Sequence, residues 1–316
     1  VDIILIIGSP ASGKSTYAKK YIAKGYFYLN RDLEKTSMTD ILKLAEKAIL
    51  ENKKIVLDNT FPTIESRKPF IELAKKYKKT IKCDWVATST EDAQINALNR
   101  MYDRYSEIFL DPKAIQNHSQ AKKDPNIFPS AALFKYRKEF EKPNIKEGFN
   151  DLQKFEFQRL PSINTNKALI LDYDGTLRDV KAGSKYKYPI SKDEIEILPN
   201  RTKILKQYLS KGYKLIGISN QSGVAKKHLT KEQAQECFDY TNKLLGLDID
   251  VYFCHHSIPP LTCYCRKPQS GLGVYIIRKY NLNPKDCIFV GDMTSDKTFA
   301  QRLGFQYIDS QTFFNK

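Results

Sequence analysis

The stretch Ile3-Ile4-Leu5-Ile6-Ile7-Gly8-Ser9-Pro10-Ala11-Ser12-Gly13-Lys14-Ser15-Thr16 decides the fold of the first half of this chain. Five consecutive apolar residues make a strand covered on both faces, as in a parallel sheet, and the glycine-bounded loop that follows leads into a helix. In Gly8-x-x-x-x-Gly13-Lys14-Ser15 the backbone N–H groups and the helix N-terminus hold phosphates. The lysine reaches the terminal phosphates and the serine hydroxyl ligates magnesium. The phosphate-facing residues are therefore Gly8, Ser9, Ser12, Gly13, Lys14, Ser15 and Thr16.

A second apolar run, Ala168 to Leu171, ends in Asp172-Tyr173-Asp174-Gly175-Thr176. Two carboxylates at one loop divide the work of phosphate removal. Asp172 attacks phosphorus, while Asp174 protonates the leaving oxygen and then activates water. Acids this close repel, so magnesium is expected among Asp172, Asp174, Asp292 and Asp296, the last two following the apolar Ile288 to Val290. Thr176, Ser219 and Asn220 are candidates to hold the phosphate, and Lys267 supplies the balancing cation. One signature puts phosphate on and the other takes it off, the pattern of a protein that repairs the phosphorylation state of its substrate.

At 316 residues the chain exceeds the usual limit of one core, and two domains are expected, 1–160 and 161–316, with the boundary near Pro161. A net charge of +16, spread over both halves, favours a polyanionic partner, although a generally lysine-rich composition gives the same number. No apolar run is long enough to span a membrane, and residues 1–7 lack the basic flank of a signal peptide, so a soluble intracellular protein, cytoplasmic or nuclear, is expected. Cys254, Cys263 and Cys265 crowd beside His255 and His256, whereas Cys83, Cys237 and Cys287 lie in apolar or helical settings. This reads as a metal site and buried thiols rather than disulfides.

Strands are expected at 27–29, 55–57, 81–86 and 155–160, with helices near 14–23, 41–50, 66–77 and 91–104. A second cycle follows, with strands at 168–171, 215–218, 250–253, 288–290 and 306–308 and helices near 200–211, 231–244, 271–280 and 294–303. Alternation of this kind means α/β architecture, two doubly wound parallel sheets whose strand ends carry the chemistry. Residues 105–130, with Pro112, Pro125 and Pro129, read as an irregular lid or substrate loop.

Asn30-Arg31-Asp32 and Asp58-Asn59-Thr60 close the second and third strands. Asp32 is the candidate general base, a helix cap being the competing reading; Arg31, Lys35, Asp58 and Asn59 are candidates for substrate contact. Arg100 and Arg104, four apart on one helix face, could clamp the donor phosphates. These motifs, with Tyr136-Arg137-Lys138-Glu139-Phe140-Glu141 and Glu147-Gly148-Phe149, resemble the kinase module of bifunctional polynucleotide kinase/phosphatases over residues 1–160. The resemblance implies transfer of the γ-phosphate of ATP to a 5'-hydroxyl, with Asp32 as base and Arg100 on the phosphates. Phage members carry arginine where this chain has Lys35, which keeps the charge without the bidentate fork.

Residues 167–310 resemble the haloacid-dehalogenase phosphatases, on Asp172, Asp174, Ser219, Lys267 and Asp292 in that order. Cys254-x-His256 and Cys263-x-Cys265 supply four ligands for one structural zinc, with His255 an alternative to His256. The arrangement resembles the zinc loop of histidinol-phosphate and heptose-bisphosphate phosphatases. Between the first two phosphatase elements the chain is too short for a folded cap domain, so the end of a polymer could enter. The expected function is end healing of DNA or RNA, 5'-phosphorylation and 3'-phosphate removal, leaving ends for a ligase. The competing readings are a metabolite kinase fused to a histidinol-phosphate-type phosphatase, and a non-catalytic nucleic-acid-binding module of a repair complex.

Overall fold

The computed structural model describes residues 1–257 and 263–315. They form two compact units, one of residues 1–97 with 118–159, the other of residues 98–117 with 160–316.

In the first unit the strands are β1 (Ile3–Ile7), β2 (Phe27–Leu29), β3 (Ile55–Asp58), β4 (Ile81–Ala87) and β5 (Asp151–Glu156). They pair in parallel in the order β2-β3-β1-β4-β5. β1, without an exposed residue, lies at the centre, as its unbroken apolar run requires. Its side chains alternate between two cores. Ile3, Leu5 and Ile7 join Leu57, Phe61 and Phe70 on one face, while Ile4 and Ile6 meet Ala18 and Val56 on the other. A buried ion pair closes this unit: the Arg67 guanidinium donates to both Glu147 carboxylate oxygens at 2.7 and 2.9 Å and to Phe61 O at 3.1 Å.

The second unit holds β6 (Ala168–Leu171), β7 (Arg178–Val180), β8 (Ile195–Ile197), β9 (Lys214–Asn220), β10 (Asp250–Cys254), β11 (Ile288–Gly291) and β12 (Gln306–Asp309). The parallel order is β10-β9-β6-β11-β12, and β7 pairs antiparallel with β8. β9 and then β10 are added on one side of β6, and β11 and then β12 on the other, so the crevice beyond the β6 and β11 ends is a topological switch point, where ligands of such sheets bind.

Two readings change, and one hairpin is added. The closing strand of the first sheet lies at Asp151–Glu156 rather than 155–160, because its partner β4 ends at Ala87, opposite Glu156. The stretch 105–130 is not irregular throughout. It carries a helix at Pro112–Asn117 and a 3-10 turn at Ala121–Lys123. Asp111 Oδ1 accepts from Lys113 N and Ala114 N at 2.8 and 3.0 Å, an N-cap followed by proline in the first helical position. The hairpin of β7 and β8, three residues each, was too short to show a period.

Within the second unit, residues 98–117 are tied to the loop that carries the cysteines: Tyr264 N donates to Leu110 O at 2.7 Å, and Asp111 Oδ2 lies 3.7 Å from His256 Nε2.

Candidate active sites

The loop Gly8 to Gly13 joins β1 to the helix Lys14–Ile22. Lys14 is buried and its ammonium donates to Gly8 O at 3.1 Å and Ser9 O at 2.8 Å. The hydroxyls of Ser9 and Ser12 are buried and, among the described residues, have no hydrogen-bond partner. Buried orphan donors beside a lysine and a helix N-terminus suit the phosphates of a nucleotide.

Asp58, at the end of β3, is buried, and its Oδ2 accepts from Ser15 Oγ and Tyr28 OH, both at 2.7 Å. Burial and the Asp58 charge push the Tyr28 phenol up, which keeps it a donor. Asn30 Nδ2 fixes the same strand end through Asp58 O at 3.0 Å. Asp58, expected among the substrate contacts, thus faces the hydroxyl expected on magnesium, and together they supply the oxygen pair that phosphate-loop enzymes give that ion. The sequence showed only a carboxylate ending a strand; that this strand lies beside β1 comes from the structure.

Asp32 is partly exposed on the short helix Arg31–Glu34 and accepts from Arg31 Nη2 at 3.2 Å. The cap of that helix is Asn30, whose Oδ1 accepts from Asp32 N and Leu33 N, so the Asp32 carboxylate is not spent as a cap. Lys35 ends the helix and is exposed, as is Thr16 beside the loop. Asn59 donates to Met38 Sδ at 2.9 Å and accepts from Thr60 N. Arg100 and Arg104 lie on the helix Thr90–Tyr105, in the portion grouped with the second unit.

In the second unit Asp172 follows β6. Lys267 Nζ donates to its Oδ1 at 2.8 Å and to Ile218 O at 2.7 Å, and lies 2.8 Å from Asp296 Oδ1. Burial pushes the Asp172 carboxyl up to about 7; Lys267 opposes the rise and Asp296 adds to it. Burial would lower the Lys267 ammonium, but the charges of Asp172 and Asp296 outweigh it and hold the group up. Asp292 is raised by burial and then by Asp296. One carboxylate oxygen from each of Asp172, Asp292 and Asp296 falls within 4.8 Å of the others. Three carboxylates against one lysine leave a negative pocket of the hard oxygen ligands that magnesium takes. Gly175 is required here: with φ +76°, a Cβ on it would meet Asp292 Oδ2 at 2.5 Å.

Asp174, expected among the metal ligands, turns its carboxylate elsewhere. Arg178 Nε donates to Oδ1 at 2.8 Å and Gln221 Nε2 to Oδ2 at 2.7 Å. Buried Arg178 is anchored in turn to Cys237 O and Thr241 Oγ1, and Gln221 also donates to Ser219 Oγ at 3.0 Å. Neither Arg178 nor Gln221 stood out in the sequence, since Arg178 opens a three-residue strand whose other residues are not buried and so shows no apolar pattern. Asn220 holds the lysine loop: its Oδ1 accepts from Lys267 N at 2.9 Å and its Nδ2 donates to Lys267 O at 3.1 Å. Thr176 is wholly buried, and its carbonyl accepts from Arg201 Nε at 2.9 Å.

Cys254, His256, Cys263 and Cys265 converge, with Cys254 Sγ 3.5 Å from His256 Nδ1 and 3.9 Å from Cys263 Sγ, and Cys265 Sγ 3.1 Å from that Nδ1. Tetrahedral zinc with bonds of about 2.3 Å to sulfur and 2.0–2.1 Å to nitrogen sets ligand separations of about 3.6–3.8 Å. The four residues fit. His256 is the imidazole that enters the cluster; His255 stacks on it at 4.5 Å. Asp111 Oδ2 lies 3.7 Å from Nε2, on the side from which a carboxylate would orient the histidine if it held a metal.

A family described as "AAA domain" matches residues 3–125, and one described as "Polynucleotide kinase 3 phosphatase" matches residues 167–314. The bifunctional polynucleotide phosphatase/kinase of Schizosaccharomyces pombe is 32% identical over 160 residues, 50% of this chain and 34% of that protein. The chain thus spans about a third of that relative's length. The D-glycero-beta-D-manno-heptose-1,7-bisphosphate 7-phosphatase of Helicobacter pylori is 34% identical over 139 residues, 42% of this chain and 77% of that enzyme. Among solved structures, that of the Pnkp1/Rnl/Hen1 RNA repair complex has a chain similar over 97% of this one and 94% of its own, at 18% identity and TM-score 0.32. The D,D-heptose 1,7-bisphosphate phosphatase of B. bronchiseptica, complexed with magnesium and phosphate, covers 45% of this chain and 79% of its own, at 24% identity and TM-score 0.40. One chain thus joins a match to the family described as "AAA domain" with a match to the family described as "Polynucleotide kinase 3 phosphatase", and its likeness to a bifunctional polynucleotide phosphatase/kinase rests on those matches.

Proposed function

We propose that the chain heals nucleic-acid ends, phosphorylating a 5'-hydroxyl from ATP in its first unit and removing a 3'-phosphate in its second. The observation that carries the proposal is the presence of two complete and opposite sets of groups in one chain, Lys14, Ser15 and Asp58 in one unit and Asp172, Lys267, Asp292 and Asp296 in the other.

In the kinase reaction the loop Gly8–Gly13 and Lys14 hold the ATP phosphates, Ser15 and Asp58 would hold magnesium, and Asp32 takes the proton of the attacking 5'-hydroxyl. Arg31 and Lys35 meet the acceptor strand. In the phosphatase reaction the Asp172 carboxylate attacks phosphorus and Asp174 gives its proton to the departing 3'-oxygen. Asp174 then takes a proton from the water that hydrolyses the aspartyl-phosphate. Asp172, Asp292 and Asp296 would hold magnesium, which when bound neutralises charge on the phosphoryl group. Ser219 is the candidate for the phosphate oxygens, Lys267 balances Asp172, and zinc, when held by the cysteine cluster, would fix the loop that carries Lys267.

The zinc cluster and the likeness to heptose-bisphosphate phosphatases favour a second reading, a small-molecule phosphatase joined to a metabolite kinase. One experiment separates the two: ATP, magnesium and an oligonucleotide with a 5'-hydroxyl and a 3'-phosphate, with a heptose bisphosphate and histidinol phosphate in parallel. Turnover of both oligonucleotide ends supports end healing; turnover of a metabolite alone rejects it. The product of healing suits a ligase, the partner proposed to act next. No helix among the described residues is long and apolar enough to cross a membrane; a cytoplasmic or nuclear location goes with the proposed substrate.

A further inference from the structure

Beside the phosphatase site, three rings lie parallel on two different loops. Tyr186 stacks on His228 at 4.1 Å between centroids and 14° between planes, and Tyr188 lies parallel to both, within 8° of Tyr186 and 11° of His228. Tyr188 OH and His228 Nδ1 are 2.6 Å apart, which locks the two loops together. Gly223 makes room for this contact, since a Cβ there would meet Tyr188 Cε2 at 2.5 Å. The wall is continuous with the chemistry. Gly223 lies two residues after Gln221, which donates to Asp174, and the Tyr188 phenol is raised first by burial and also by the Asp174 charge. Lys185, Lys187, Lys226 and Lys227, on the same two loops, are exposed, and the Lys185 ammonium lies 5.3 Å from the Tyr186 ring centre, from which an incoming base would displace it.

Parallel aromatic rings in a lysine-rich rim next to a phosphate-cleaving carboxylate are the elements by which single strands are held: a planar face for a base and cations for the backbone. Core packing does not account for them, because all three rings are only partly buried. We infer that Tyr186, backed by His228 and Tyr188, is the platform on which the base of the 3'-terminal nucleotide stacks, so that the second unit selects a nucleotide end over a bare phosphate ester. The inference rests on the end-healing reading and adds what is recognised at that end.

The test uses two single-stranded oligonucleotides with 3'-phosphates, identical except that one lacks its terminal base, and measures kcat/KM on the full chain, Tyr186→Ala and Tyr186→Phe. Hydrolysis of p-nitrophenyl phosphate reports whether each variant has formed its active site. The unaltered chain should prefer the base-bearing end by about 5- to 150-fold, the range of base–aromatic stacking. Tyr186→Ala should erase that preference and Tyr186→Phe should keep it. Equal turnover of the two ends by the unaltered chain, or a preference surviving in Tyr186→Ala, overturns the platform while end healing stands. Hydrolysis of p-nitrophenyl phosphate with neither oligonucleotide touched rejects end healing and the platform together. The comparison on the unaltered chain decides even where a variant does not fold.

Discussion

Replacing Asn220 with alanine removes two hydrogen bonds, both to the backbone of Lys267, from a residue that the motif alone would place on the substrate. Each such bond contributes about 1 kcal/mol net, so the loop loses about 2 kcal/mol of its preference for the conformation that holds the ammonium 2.8 Å from Asp172 and Asp296. If all of that loosening is felt at the transition state, kcat for 3'-phosphate removal falls by about 30-fold at most. KM should stay within about twofold, because no bond to the phosphate has been lost. The assay is steady-state release of phosphate from a 3'-phosphorylated oligonucleotide at saturating magnesium, with Lys267→Met as the reference for complete loss of the cation. A raised KM with kcat intact would mean that Asn220 touches substrate after all, and no change in either would mean that the loop is held without it.

Asp172→Asn should abolish phosphatase activity and spare the kinase, while Lys14→Ala does the reverse; oligonucleotide end-labelling and phosphate release on both variants check this, and loss of both activities from either change contradicts two separate sites. Glu147→Gln strips the charge partner from a wholly buried Arg67 and should cost about 3–5 kcal/mol in urea unfolding of the first unit; an unchanged midpoint would mean that water or a shifted side chain compensates. Elemental analysis should find one zinc per chain, lost in Cys265→Ser and His256→Ala and retained in His255→Ala; retention in His256→Ala would assign the fourth ligand wrongly. Asp111→Ala should weaken zinc retention against a chelator about 10- to 100-fold without removing a ligand, and an unaltered exchange rate would argue that the carboxylate does not orient His256.

Both sheets and the position of each chemical loop were legible because they rest on local patterns: apolar runs of strand length, glycine-bounded loops, and carboxylates placed where a strand stops. What escaped depends on partners far away in sequence. Asn220 reads as a phosphate contact until Lys267 is seen across the sheet, and Asp174 reads as a metal ligand until Arg178 and Gln221 are seen holding it. Asp58 was noticed for its place after a strand, but its role depended on β3 lying beside β1, a pairing that no local period encodes. The choice between His255 and His256 was equally closed to sequence, since adjacent imidazoles differ only in where the backbone aims them.

Residues 98–117 complete a fold whose remaining chain starts only at residue 160, through the Leu110 carbonyl and the Asp111 carboxylate. Scission at that point would therefore not release a self-sufficient phosphatase: the C-terminal fragment would leave Tyr264 N without its acceptor and His256 without its anionic neighbour. A ribosome emitting this chain delivers Asp111 well before the histidine that it meets, so the contact between the two stretches forms only after His256 has emerged.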